Sequence, residues 1–508
     1  MMEKINKSDP AECEYKTDIV IAGGGLSGLS AALTAVEKGV DVIVLEKLHF
    51  PGGAGLFPEG SLGIGSKFQV ENGIDISVEK VFERVMEFHH WRCNARVIAR
   101  LLNESGKTIN WLMENGVEII GIKTLFPPEK SLNVWHLFRG GGARVVKIMS
   151  KKIKAGGGLI LTNTRAERLL FDEKKKISGL SALSGDKKIK IRAKAVILST
   201  GGFTGSRQML EKYVPDITMP GMARLMYRGP EIDGRTGDGI NIALSADASL
   251  AGMETLAGNS PYLDHEPAIK QFRGPDYLKQ TRCALSQPFL WVNKRGERFY
   301  NESAGSVFSD VYNAMTSNGG IMWSVFDENM KHHMVENGPL TPFNAIVVPG
   351  DKMTSLDEGI KKGIESGFAY KASSIEKLAE KINIEPSVLI STVESINRYA
   401  DQGKDPEFNR KPEHLIRFNM ENGPYYALKG LRAFFLTLGG VRTNTGMQAL
   451  DSEGNVIPGL YVTGQDMGGL YDTTYDLLAE GSASSFAISS GRIAAETIIN
   501  STGNNSSA

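Results

Sequence analysis

The 508 residues hold three cysteines, Cys13, Cys93 and Cys283, far apart in the chain. No pair has C-x-x-C spacing, which excludes a thiolate zinc site, an iron–sulfur cluster and a redox dithiol; without C-x-x-C-H there is no c-type haem attachment. His332 and His333 have no acid or cysteine cluster beside them, so no metal is expected. No window approaches the roughly 18 apolar residues of a membrane span. The opening "MMEKINKSDPAECEYK" lacks the apolar run of a secretory signal, so a cytoplasmic protein is expected. Charge of one sign is missing too: Lys plus Arg and Asp plus Glu number 58 each. No global field draws the chain to nucleic acid or an anionic membrane, and a small molecule is the expected partner.

What is present is an ordinary globular composition, 41% hydrophobic and 23% charged, on a chain long enough for two or more domains. "DIVIA", residues 18–22, is a β-branched run suited to a buried parallel strand. Gly23, Gly25 and Gly28 then fit G-x-G-x-x-G, and "LSGLSAALTAVEKG" continues as a helix stopped by Gly39. In such a turn the first glycine permits the bend, the second admits a pyrophosphate and the third lets helix meet strand. Leu26 and Ser27 lie at the helix start, whose N–H groups face the phosphates. A second strand, "DVIVLEK", brings Glu46 to the position where an acid accepts ribose hydroxyls. This half-site alone leaves FAD and NAD open.

Further Gly-rich passages follow. "PGGAGLFPEGSLGIGS" spans residues 51–66, "AVILSTGGF" closes a strand on Gly201 and Gly202, and "GRTGDGINIAL" places Thr236 to Gly239 at a helix start. "GLYVTGQDMGG" ends a strand at Gly464, and a helix is expected from Gly481 onward. Together these pieces resemble the flavoprotein subunit family of fumarate reductase and succinate dehydrogenase, which includes 3-ketosteroid dehydrogenases and soluble ene-reductases. The resemblance runs from about Asp18 to about Ile499. It implies an α/β, two-domain flavoprotein: a discontinuous Rossmann-like FAD-binding domain with an inserted α+β capping domain. The expected boundaries are 1–258 and 437–499 for the FAD-binding parts, 259–436 for the cap and 500–508 for a disordered tail. Matched position by position, the resemblance puts Gly23, Gly25, Gly28, Glu46, Lys47, Gly52, Gly53, Ala54, Gly55, Ala166, Thr200, Gly201, Gly202, Asp238, Gly464, Gln465, Ser482 and Ser485 on FAD. Leu26 and Ser27 join them from the helix start. Membrane-bound relatives attach FAD through a histidine in the second Gly-rich run; residues 51–66 contain none, so non-covalent FAD is expected.

In the family, an arginine beyond "Arg-Phe-x-Asn-Glu" delivers the proton, while a histidine before "Thr-x-Gly-Gly" and an arginine near the last helix hold the diacid. Here "GERFYNESAGSVFSD", "FFLTLGGVRT" and "TTYDLLAEGSA" put Ser306, Leu436 and Leu478 in those places. An unpaired buried carboxylate costs several kcal/mol, so fumarate and succinate fit poorly. The phenols of Tyr471, Tyr475, Tyr262 and Tyr312 are the candidate proton donors, because a phenol can donate without being charged at rest. Asp472 and Asp476 are expected to cap a helix. His89 and His90 are expected on a helix with Trp91 packed inward, and His136 is a minor candidate for the cofactor or substrate.

The expected activity is reduction or formation of a carbon–carbon double bond next to a carbonyl, by hydride exchange at flavin N5, on a substrate less charged than fumarate. A separate electron donor or acceptor is expected, since neither a haem nor a covalent-FMN attachment motif is present. A 3-ketosteroid dehydrogenase is the alternative enzyme. A flavin-dependent hydratase or isomerase, or a flavin-binding regulatory protein, is the alternative of another class.

Overall fold

The computed structural model describes residues 4–5, 12–124, 131–219, 234–265, 270–344, 346–476 and 478–503. The elements that carry the site begin with β1 (Glu12–Ala22), α1 (Leu26–Glu37) and β2 (Val42–Leu45). Then come α2 (Val78–Phe88), β3 (Leu159–Leu161), β4 (Lys187–Leu198) and α3 (Asp238–Leu244). β5 (Tyr262–Leu263), α4 (Asp276–Leu285), β6 (Leu290–Val292) and β7 (Ile321–Asp327) follow. The last are β8 (Ala369–Ala372), β9 (Tyr425–Leu431), β10 (Gln448–Leu450), β11 (Val456–Val462) and α5 (Ser482–Gly503). The chain forms two compact units, one of residues 1–214, 230–256 and 436–508, the other of 215–229 and 257–435.

In the first unit the central sheet runs β3-β2-β1-β4-β11-β10, parallel except for the antiparallel edge strand β10. Ile19 to Ala22, Val42 to Leu45 and Val196 to Leu198 are buried, as a parallel sheet covered on both faces requires. β1 and β4 extend well beyond the apolar runs visible in the sequence, because their polar halves pair with each other from Glu12 opposite Lys188 onward. β4 also pairs with the hairpin strand Ile177–Ser184. Strand order reverses between β1 and β4, and ligands of such sheets bind beyond the carboxyl ends of the strands at that reversal. The glycines at 23–28, 201–202 and 464 all lie there, after β1, β4 and β11. The late Gly-rich passage therefore belongs to the same site as the early one, since β11 joins the sheet beside β4. α5 then crosses α1 closely: Ser30 Oγ donates to Ile488 O at 2.9 Å, and a Cβ at Gly491 would collide with Ser27 O and Ser30 Oγ. α5 runs to Gly503, past the expected boundary at 499; residues 504–508 lie outside the described residues.

The second unit is built on an antiparallel sheet, β6-β7-β9, with β5 and β8 both pairing along the other edge of β9. Helices form over Ile375–Lys381 and Pro386–Gln402, the latter closed by Gly403 in the left-handed region at φ 63°. Phe289, Trp291, Phe326, Phe343, Phe368 and Phe418 fill its core.

Around α2 the structure corrects the expectation. The helix stops at Phe88, and His90 and Trp91 take positive φ of 50° and 58°. This turns the indole outward, leaving Trp91 63% exposed, while His89 is buried in its stead.

Candidate active site

The turn after β1 is set by backbone clearance. Gly23 has φ 108°, and a Cβ there would strike the Ser199 carbonyl. A Cβ at Gly28 would strike Gly23 O and approach Ser199 Oγ to 2.7 Å. At Gly25 the nearest atom would be Gly52 O at 3.8 Å, so this face of the turn is open. Gly25 caps α1 without a side-chain bond, and no acid occupies the first helical turn. The dipole and N–H groups of the helix start are thus available to an anion. Gly52 N donates to Gly24 O at 2.8 Å, which lays the turn of Gly52, Gly53, Ala54 and Gly55 against the first; a Cβ on Gly55 would press on Leu26.

Glu46 braces this turn. Its carboxylate accepts from Gly24 N at 3.0 Å and Leu48 N at 2.8 Å. Burial raises its pKa, against the pull of those two bonds. Lys47 Nζ donates to Thr236 Oγ1 at 2.6 Å and pairs with Asp238 at 3.1 Å; Arg165 pairs with the other oxygen of Asp238 at 2.7 Å. Burial would raise Asp238, but Arg165 and Lys47 override it and hold the carboxyl below its usual value. Ala166, next to Arg165, is buried on its strand.

Asp466, which the sequence reading missed, ties the other strand ends together. One of its oxygens accepts from Gly202 N at 2.9 Å and the other from Thr200 Oγ1 at 2.9 Å, with Thr200 N as a further donor. Fully buried, it is pushed up to about 6, burial outweighing those bonds. Gln465 beside it occupies the position matched to the family's carboxylate. Gly464, at φ 62°, donates its N–H to Ser490 Oγ at 3.0 Å, and a Cβ there would lie 2.5 Å from Ser27 Oγ. Ser485, in the first turn of α5, has a buried hydroxyl with no hydrogen-bond partner among the described residues. An open glycine cradle, an uncapped helix start and this orphaned hydroxyl fit a dinucleotide that spends each of them.

The four candidate tyrosines fall into separate settings. In the first unit Tyr471 and Tyr475 come together, ring centroids 5.4 Å apart. Ser482 Oγ donates to the Tyr475 oxygen at 3.0 Å and lies 3.4 Å from that of Tyr471. Ala483 N also donates to Tyr475, at 3.2 Å. Burial raises both phenols, Tyr471 well above its ordinary value, and the Ser482 and Ala483 bonds temper the rise at Tyr475. His89 packs edge-on to Tyr471 at 5.6 Å, and burial lowers it to about 4. In the second unit Tyr312 donates to Asp216 at 3.3 Å, and Asp216 is in turn paired with Arg432 at 2.8 Å. Tyr262 is buried beside Phe272 and Arg282.

Among the described residues neither aspartate caps a helix. Asp476 accepts from Leu478 N at 2.9 Å, in the turn that precedes the start of α5 at Ser482. Asp472 caps nothing: it pairs with Arg92 at 3.3 Å, and its N–H donates to His89 Nδ1 at 3.3 Å. His136 serves packing: Nδ1 lies 2.9 Å from Val134 O and Nε2 2.6 Å from Ser66 Oγ, inside a capping box, and burial lowers it to about 4. Among the described residues no group of three or more His, Cys, Asp or Glu could hold a metal, and no helix is long and apolar enough to cross a membrane.

A family model described as an FAD binding domain matches residues 18–481. The vinyl phenol reductase of Lactiplantibacillus plantarum is 31% identical over 484 residues, covering 94% of this chain and 94% of its own. The solved open conformation of a flavocytochrome c3 fumarate reductase aligns with a TM-score of 0.68 at 23% identity, over 96% of this chain and 78% of its own. A 3-ketosteroid-delta4-(5alpha)-dehydrogenase from Rhodococcus jostii RHA1 aligns with a TM-score of 0.71 at 24% identity, over 95% and 96%. At those identities the two structures speak for the fold.

Proposed function

The chain belongs to the FAD binding domain family, and from that premise we propose that it reduces an activated carbon–carbon double bond on a substrate less charged than fumarate, with a tyrosine as proton donor. It is an FAD-dependent oxidoreductase acting on CH–CH bonds, and its 31% identical relative is a vinyl phenol reductase. When bound, FAD supplies hydride through its N5 atom. The cradle residues Gly23, Gly25 and Gly28, the start of α1, and Ser485 hold the cofactor.

The observation that carries the reading is the Tyr471–Ser482–Tyr475 cluster at the start of α5. The Tyr475 oxygen accepts two hydrogen bonds, from Ser482 Oγ and Ala483 N. Once the proton has left, the same two donors and the positive end of a 22-residue helix stabilise the phenolate. Tyr471, bonded to Ser482, can pass a proton along the same line. Tyr312 is a weaker donor, its hydroxyl being engaged by Asp216, and Tyr262 lies in the second unit.

Two considerations support the substrate class. Ser306, Leu436 and Leu478 stand where the family carries cations, so a second carboxylate would go unpaired. The vinyl phenol of the relative's name is an aryl alkene without a carboxylate. Activation can therefore come from an aryl group as well as from a carbonyl. A separate donor delivers the electrons. The test is anaerobic: reduce the flavoprotein with dithionite, add fumarate, vinyl phenol, 3-phenylpropenoate or cyclic enones, and follow the return of the oxidised flavin band. Rapid return with one of the singly charged or neutral alkenes and none with fumarate supports the reading. Rapid return with fumarate overturns it.

A further inference from the structure

Arg282 lies in the last turn of α4 with no solvent exposure. Its Nε, Nη1 and Nη2 atoms are all buried, and none has a hydrogen-bond partner among the described residues. What surrounds the guanidinium is aromatic: it stands 5.3 Å from the Tyr262 ring centroid and 4.7 Å from that of Phe343. Phe272 joins them, 5.6 Å from Tyr262 and 5.1 Å from Phe343.

The same unit shows how this protein settles a buried arginine that serves structure. Arg298 pairs with Glu302 and Asp405 at 2.8 Å each, Arg410 with Glu302 at 2.7 Å and Arg432 with Asp216 at 2.8 Å. Among the described residues Arg282 has nothing of the kind. Two ring faces and the carbonyl end of α4 attract a cation, but they satisfy none of its five N–H donors, and a buried unpaired charge is strongly disfavoured. Burial lowers Arg282 only to about 10, so it stays charged at neutral pH. A buried, charged, unspent fork of donors walled by flat rings is complementary to a carboxylate carried on a flat apolar body. A phenol would have to surrender its proton near neutral pH, which a carboxylic acid has already done.

We propose that Arg282, flanked by Tyr262 and Phe343, is a binding site in the second unit for the single carboxylate of a flat, apolar monoacid. That such an acid is also a substrate rests on the preceding reading: one unmatched cation suits one carboxylate and leaves the second of fumarate unpaired.

The test is calorimetric titration of the FAD-loaded protein with 3-phenylpropanoate, which has no double bond to reduce, and with 3-phenylpropanamide, its neutral analogue. The acid should bind at least about thirtyfold more tightly than the amide, the range seen when one partner of a buried charge pair is lost. Arg282→Met should erase that preference and leave amide binding intact, and Arg282→Lys should retain part of it. Equal affinity for acid and amide in the unaltered protein overturns the site, as does an Arg282→Met variant that keeps the preference. If the methionine variant does not fold, the acid-to-amide comparison on the unaltered protein decides. Tight binding of the saturated acid with no flavin reoxidation by 3-phenylpropenoate or any other alkene upholds the site and counts against the reductase reading alone. Reoxidation by enones with no acid preference does the reverse.

Discussion

From Gly23 to Gly28 the backbone itself is the constraint: two carbonyls and a serine hydroxyl stand where any side chain would have to go. From Tyr471 to Ser485 the constraint lies in side chains, a ring pair, a shared serine and a helix start capped by a phenol. Both stretches belong to the same unit, at the ends of parallel strands. In the function proposed above, the first would bind whatever carries a pyrophosphate, nearly independently of the substrate, and the second could change its chemistry by exchanging one side chain.

Substitutions should separate the two stretches. Gly28→Ala forces a Cβ against Gly23 O, so the purified protein should lack the flavin absorbance altogether. Tyr475→Phe should leave flavin content unchanged and slow alkene reduction by about a hundredfold, the lower end of what a positioned proton donor contributes; the same loss of flavin as in the glycine variant would erase the distinction drawn here.

Smaller effects lie at the supports of each region. His136 and His89 are held near 4 against the 6.5 of an unfolded chain. Unfolding therefore takes up protons below about pH 6.5, and their contribution to stability is complete above that value and lost as pH falls toward 4. Asp466 works in the opposite direction: raised from 3.8 to about 6, it makes the folded state lose stability as pH rises through that window. His136→Asn should thus narrow the stability gap to the unaltered protein by about 2 kcal/mol between pH 7 and pH 4.5, measured by urea denaturation. Arg92→Ala, at a pair with one exposed partner, should cost under about 1 kcal/mol at pH 7.

The cradle was legible because its constraint is local: strand, glycine spacing, helix and acid fall within residues 18–46. The strands at 18–22 and 195–199 showed only their apolar halves, since the polar halves gain their partners from each other. Asp466 gave no local sign, as it sits beside the position under scrutiny and bonds to Thr200, 266 residues away. Trp91 was misread because a helix end, rather than helical periodicity, sets its direction. Arg282 was invisible for a further reason: what marks it is the lack of an acid opposite, and a lack of partners exists only in three dimensions.

The central claim is that a neutral phenol at the start of α5 supplies the proton. The most direct measurement is single-turnover reoxidation of the reduced Tyr475→Phe protein, once by its best alkene acceptor and once by ferricyanide, which needs no proton. The account predicts that the alkene reaction slows by about a hundredfold while the ferricyanide reaction keeps its rate. Equal rates with the alkene in the Tyr475→Phe and unaltered proteins would contradict it.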